Sequence, residues 1–309
     1  MSEGVPESVL ASPLSVSPTF IQGPIGPLAC YRGGPEHPED PSVVVLIHSV
    51  NAAASTHEMA SLFDTLAKTR RVFAFDLPGF GRSARPSLRY DLEIFTEAVA
   101  RMLGHAAEVA RAETGRTDVP VHGVGLSLSS EFIARAVARG RARATTLTLV
   151  TPTGFSRGSH KFDREGDREL PGFAFFLEGR PWSRTLYDWL TSRRSIRYFY
   201  RRTFGGPAVP ETMVDYAYRT SRVEGAEHAP IAFLTGRLFG RDVRAVYEAL
   251  DLPVFVPHGT RGDFKDFTES GWAEARGHWR FEPFAAGALP HVELEEAFVA
   301  SFSRFLEES

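Results

Sequence analysis

The chain has 309 residues, 43% of them hydrophobic and 24% charged, with a net charge of −3 and a pI near 6.4. That balance fits a globular protein with one large core or two ordinary ones, and leaves no global field to draw nucleic acid or an anionic membrane. A single cysteine, Cys30, excludes an internal disulfide and offers no metal-ligand spacing, so neither a metal nor another cofactor is expected.

The first residues, MSEGVPESVLASPLSVSP, lack a basic start followed by an apolar run. They are therefore expected to be a flexible tail over 1–18 and not a signal peptide. With no apolar stretch approaching the ~20 residues that span a bilayer, the expected location is the cytoplasm, without a membrane partner. Residues 19–34, TFIQGPIGPLACYRGG, have the pattern of an antiparallel hairpin at a sheet edge. Five short apolar runs follow: VVVLI (43–47), VFAF (72–75), VPVHGVG (119–125), TLTLV (146–150) and PVFV (253–256), with WRFEPF (279–284) a weaker sixth. Several are apolar throughout, as strands covered on both faces are. Between them lie helical patterns at 91–113, with Leu92, Phe95, Val99, Met102 and Leu103 on one face, and at 129–139. A last one spans 292–306, with Leu294, Phe298, Phe302 and Phe305. Strands alternating with helices predict an α/β fold with a mainly parallel sheet.

The rhythm breaks at 152–250, where aromatic residues crowd a helical pattern. A helical insertion between two strands of one sheet accounts for this better than a second domain. The predicted division is a core of 19–151 and 251–309 with a cap of 152–250.

The stretch GVGLSLSSEF (123–132) carries the chemistry. A strand ending near Val124 and a helix starting near Ser129 leave a tight turn with Ser127 at its centre, lifted above the sheet where free helix N–H groups point. Ser129 and Ser130 fall at the helix entrance, where serine commonly caps. The same stretch half-matches a dinucleotide loop, but the third glycine is missing and no acid lies about 20 positions on. THEMAS (56–61) begins like a zinc motif, yet Ser61 stands where the second histidine belongs. DREGDRE (163–169) lacks calcium-loop spacing.

Together with LIHSVNAAAS (46–55) and FAFDLPGFGRSARP (73–86), the serine turn resembles the α/β-hydrolase superfamily over nearly the whole chain. The resemblance implies a sheet of that family with a helical cap inserted after the sixth strand. It also implies a Ser-His-Asp triad of Ser127, His291 and Asp263, with Asp266 as the alternative acid. The backbone N–H of Leu128 and one from Ser49 or Val50 would form the oxyanion hole. Asn51 and the cap aromatics Phe173, Phe176 and Trp182 would line the substrate pocket. Two departures stand out. His48-Ser49 replaces the usual His-Gly, and Ala288 occupies the usual histidine position in AAGALPHVELEEAF, three residues before His291. Ser127 at the elbow excludes a nucleophilic aspartate. The expected activity is hydrolysis of a small to medium, largely apolar ester or acyl compound. The alternatives are a non-catalytic ligand- or partner-binding member of the fold, and a lyase or C–C hydrolase using the same triad. The expected partner is a small-molecule substrate, and homo-oligomer formation stays open.

Overall fold

The computed structural model describes residues 10–35, 40–158, 166–178 and 180–309. Eight strands form one sheet: β1 (Thr19–Gln22), β2 (Pro27–Gly33), β3 (Val43–Ile47), β4 (Arg71–Phe75), β5 (Val121–Leu126), β6 (Thr146–Val150), β7 (Val254–Gly259) and β8 (Trp279–Phe284). Their order is β1-β2-β4-β3-β5-β6-β7-β8, with β1, β2 and β4 paired antiparallel and the remaining neighbours parallel. The hairpin expected at 19–34 is β1 and β2, and every apolar run singled out in the sequence is a strand.

Three helices alternate with the first parallel strands: α1 (Ala60–Leu66), preceded by a 3₁₀ turn over Thr56–Met59, α2 (Leu92–Thr114) and α3 (Ser129–Ala138). Six more lie between β6 and β7: α4 (Pro171–Leu177), α5 (Pro181–Leu190), α6 (Arg193–Phe204), α7 (Glu211–Thr220), α8 (His228–Leu234) and α9 (Val243–Glu248). The chain closes with α10 (Gly271–Glu274), α11 (Pro290–Glu293) and α12 (Glu295–Glu308). The all-apolar strands are explained by burial on both faces. Val43, Val45 and Ile47 of β3 join Phe95, Val99, Phe132 and Ile133 of α2 and α3, whereas Val44 and Leu46 join Leu62 and Phe63 of α1 and Phe298 and Phe302 of α12. Successive side chains of a strand point to opposite faces, so one five-residue run feeds two cores.

The N-terminal expectation needs correcting. Residues 1–9 lie outside the described residues, but 10–18 are not a free tail. Leu10 and Leu14 are buried, and the carbonyls of Leu10, Ala11 and Pro13 accept from Arg82, Tyr216 and His57. Burial of these two leucines, Leu10 beside Tyr216 of α7, anchors the segment.

The loop after β4 is fixed by Asp76. Its fully buried carboxylate accepts from Thr56 N–H at 2.8 Å, Thr56 Oγ1 at 2.7 Å, Tyr31 Oη at 2.8 Å and Arg82 N–H at 2.9 Å. Gly81 sits at φ +52°, and a Cβ there would lie 2.0 Å from that carboxylate. Asp76 thus ties β2, the 3₁₀ turn and its own loop together, which gives the acid of DLPG a structural task.

Candidate functional site

Ser127 stands where β5 hands over to α3, and its backbone is left-handed at φ +56°. Thr151, at the end of the neighbouring β6, is likewise left-handed at φ +45°. These are the two non-glycine residues with positive φ among the described residues. Such conformations are costly for L-residues, most of all for β-branched threonine, and they concentrate at functional sites. The turn is tight because α3 comes close: a Cβ on Gly125 would lie 3.0 Å from Ile133 Cγ2 and 3.1 Å from Ser129 O.

The other two serines are occupied structurally, though not as caps. Ser129 Oγ donates to His48 O at 2.5 Å and Ser130 Oγ to Gly125 O at 3.0 Å. The first bond crosses from α3 to the loop after β3 and so holds the two sides of the turn together. Ser129→Ala is expected to lower the unfolding free energy by about 1 kcal/mol, measured by urea denaturation.

Ser127 opens on a cleft with two adjoining pockets. One, of about 660 Å³, has Ser49, Val50, Asn51, Glu58, Leu128, Tyr200, Phe233, Phe239, Phe264 and Ala288 on its walls. The other, of about 700 Å³, shares Ser127, Thr153, Phe239 and Phe264 and adds Thr151, Arg168, Asp263 and Asp266. A third pocket, of about 920 Å³, continues past Asn51, Tyr200 and Phe264 to Leu190, Ile196 and Phe199. The apolar walls come mainly from α6, from α8 with the turn after it, and from the segment after β7.

The backbone of the expected oxyanion hole separates into two kinds of donor. The N–H groups of Leu128 and Val50 have no hydrogen-bond partner among the described residues. Ser49 N–H, the alternative to Val50, already donates to Glu58 Oε2 at 2.9 Å. Glu58 Oε1 accepts from Asn51 Nδ2 at 2.8 Å, and Asn51 Oδ1 from Ala53 N–H at 2.8 Å. His48 is a structural residue: its buried ring donates from Nδ1 to Ser49 O and accepts at Nε2 from Leu77 N–H at 3.0 Å.

The expected triad is not brought together. His291 lies in α11 with its ring fully buried, 5.8 Å from the Phe298 ring, and its Nε2–H donates to Glu58 O at 2.9 Å. It lines none of the pockets that Ser127 lines. Burial pushes its pKa down to about 4, against the opposing influence of the Glu58 carbonyl and Glu295. The physical reason is helical: Pro290 starts α11, and the turn that follows rotates the ring inward onto the core face with Phe298. Ala288 is on the pocket wall in the usual histidine position, its N–H donating to Thr203 O at 2.9 Å. No histidine lines the Ser127 pockets among the described residues, which exclude His37 and His160. Asp263 does face the cleft, but it is exposed, and its carboxylate is taken by Arg202 of α6. Asp266, the alternative acid, accepts from Arg157 N–H at 3.0 Å and from Thr268.

The pocket aromatics are also corrected. Phe173, Phe176 and Trp182 are 43%, 54% and 45% exposed and lie outside the cleft; α4 buries Ala174 and Leu177 instead, and Phe176 packs on Trp182. Helical spacing shows which residues share a face but not which face turns inward. Asn51 is on the pocket wall. The residues that sequence reasoning missed are Glu58, Tyr200, Phe233, Phe239 and Phe264. Glu58 sat in a motif set aside for its missing second histidine, and the aromatics become a group only through the fold.

Among the described residues no cluster of three His, Cys, Asp or Glu side chains could hold a metal, and no helix is long and apolar enough to cross a membrane.

Comparison with known proteins bears on this geometry. A family model described as "Alpha/beta hydrolase family" matches residues 44–301. Solved structures with the same fold include an enol-lactonase from Burkholderia xenovorans LB400, 18% identical with a TM-score of 0.66 over 94% of this chain and 100% of that one. A serine hydrolase involved in carbazole degradation is 16% identical, with a TM-score of 0.68 over 94% and 99%. An esterase from Exiguobacterium antarcticum is 15% identical, with a TM-score of 0.65 over 94% and 99%. No curated protein matches the sequence.

Proposed function

The chain belongs to the α/β-hydrolase family, whose members are generally hydrolytic enzymes, and from the cleft above its elbow we propose that it binds a small, largely apolar carbonyl compound without histidine-driven turnover. The carbonyl oxygen would sit against the free N–H groups of Leu128 and Val50, and the apolar remainder among Tyr200, Phe233, Phe239 and Phe264. The observation that carries this reading is the pairing of two unpartnered amides with a serine that no imidazole faces among the described residues. A serine hydroxyl needs a base to attack a carbonyl, and loss of a triad's nucleophile or base lowers turnover by about 10⁶-fold. Ser127 is then a hydrogen-bonding group for the ligand, held in place by its strained backbone.

One observation favours a second reading, ester hydrolysis through Ser127. The left-handed serine and the cleft-facing Asp263 would supply the nucleophile and the acid of such a triad. A fluorophosphonate probe separates the two. On the binding reading, labelling of Ser127 followed by mass spectrometry is slow and equally slow in His291→Ala, and ester binding measured by calorimetry changes less than about tenfold in Ser127→Ala. Rapid stoichiometric labelling that disappears in both Ser127→Ala and His291→Ala would overturn the binding reading in favour of the triad.

A further inference from the structure

Glu58 is a buried carboxylate, 4% exposed, on the wall of the Ser127 pocket. Its two oxygens accept from Ser49 N–H and from Asn51 Nδ2, both neutral donors. Among the described residues no lysine, arginine or histidine side chain forms an ion pair with it; the buried acids Asp76 and Glu131 are likewise held by neutral donors but lie off this pocket, whereas Glu58 stands on its wall. Nor does any lysine, arginine or histidine stand on the wall of this pocket. A carboxylate removed from water with no counter-charge is expensive, and the expense persists only where something else requires it. The same pocket is also walled by Tyr200, Phe233, Phe239 and Phe264. The faces of such rings are negative, so they attract a cation and gain little from a second anion.

We propose that the pocket takes a ligand carrying an organic cation, an alkylammonium or quaternary ammonium group, seated against Glu58 and the aromatic wall. The proposal rests on the reading that this cleft holds a small molecule, and it names that molecule's charge. Anionic ligands are excluded by the same carboxylate. The cation neutralises Glu58 without displacing its two hydrogen bonds, because a carboxylate offers about four acceptor positions. The carbonyl end of the same ligand can then reach the free amides of Val50 and Leu128 across one pocket.

Choline and its neutral carbon isostere 3,3-dimethylbutan-1-ol match in shape and differ in charge, so their binding by calorimetry is the test. Wild type is expected to bind choline about tenfold or more tightly than the alcohol. Glu58→Gln keeps the size and removes the charge, with its amide oxygen accepting from one of the two donors while its NH₂ faces the other, and should bring that ratio close to one by weakening choline far more than the alcohol. Phe264→Leu, which leaves the Glu58 contacts untouched, should weaken choline by roughly two- to fivefold and serves if Glu58→Gln does not fold. Binding of the alcohol with no preference for choline in wild type would overturn the cation proposal while leaving the cleft a ligand site. Absence of binding by either compound would overturn both.

Discussion

Asp76→Ala is expected to lower the unfolding free energy by roughly 3–5 kcal/mol, read as a shift in the urea midpoint with an unchanged slope. The side chain is fully buried and is the common acceptor for two backbone N–H groups and two hydroxyls drawn from β2, the 3₁₀ turn and the DLPG loop. Alanine leaves these donors facing one another with no acceptor and no route for water, and each buried unsatisfied group costs about 1–3 kcal/mol. Asp76→Asn should cost less, since the amide oxygen can still accept from Thr56 while its NH₂ opposes the Arg82 N–H. Glu58 follows Thr56 by two residues, so the variant should also loosen the Glu58–Ser49 contact that shapes the cleft. An Asp76→Ala protein that unfolds at the wild-type urea concentration would show that Tyr31 and Thr56 find other partners.

Different parts of the molecule were legible in the sequence to different degrees, for physical reasons. β3 could be read from VVVLI because a strand buried on both faces has no room for a polar residue. The elbow could be read because a glycine, a serine and a helix entrance follow one another along the chain, so the signal is local. His291 was misjudged because its direction depends on whether three residues run extended or helical. Pro290 and the four-residue α11 settle that by turning the ring into the core. Phe173, Phe176 and Trp182 failed for a related cause: composition marks an aromatic face and docking decides its direction. Glu58 was beyond reach, since a lone acid in a short turn looks like any solvated acid until the fold buries it.

Lowering the pH from 7 to 5 is expected to remove about 2 kcal/mol of stability for each of His291 and His122. Burial pushes both imidazoles down to about 4 in the folded protein. At His291 the Glu58 carbonyl and Glu295 oppose that shift; at His122 Asp40 opposes it and Arg70 adds to it. The unfolded chain titrates near 6.5. Between about 4 and 6.5 it therefore binds more protons than the native state, and stability falls as pH drops through that window. Above 6.5 both states hold neutral imidazole and the contribution is fully present. Burial keeps the groups neutral: His291 Nε2–H already meets the Glu58 carbonyl and its buried Nδ1 has no partner among the described residues to accept from a second N–H, and His122 Nδ1 lies 2.9 Å from Thr146 Oγ1. His291→Leu lowers stability at pH 7 by leaving that carbonyl unpaired, but its loss between pH 7 and 5 should shrink by about 2 kcal/mol relative to wild type. Urea midpoints at the two pH values for wild type, His291→Leu and His122→Asn measure this directly. An undiminished pH 7 to 5 loss in His291→Leu would mean that the imidazole is solvated in solution, and would return it to consideration as a base for Ser127.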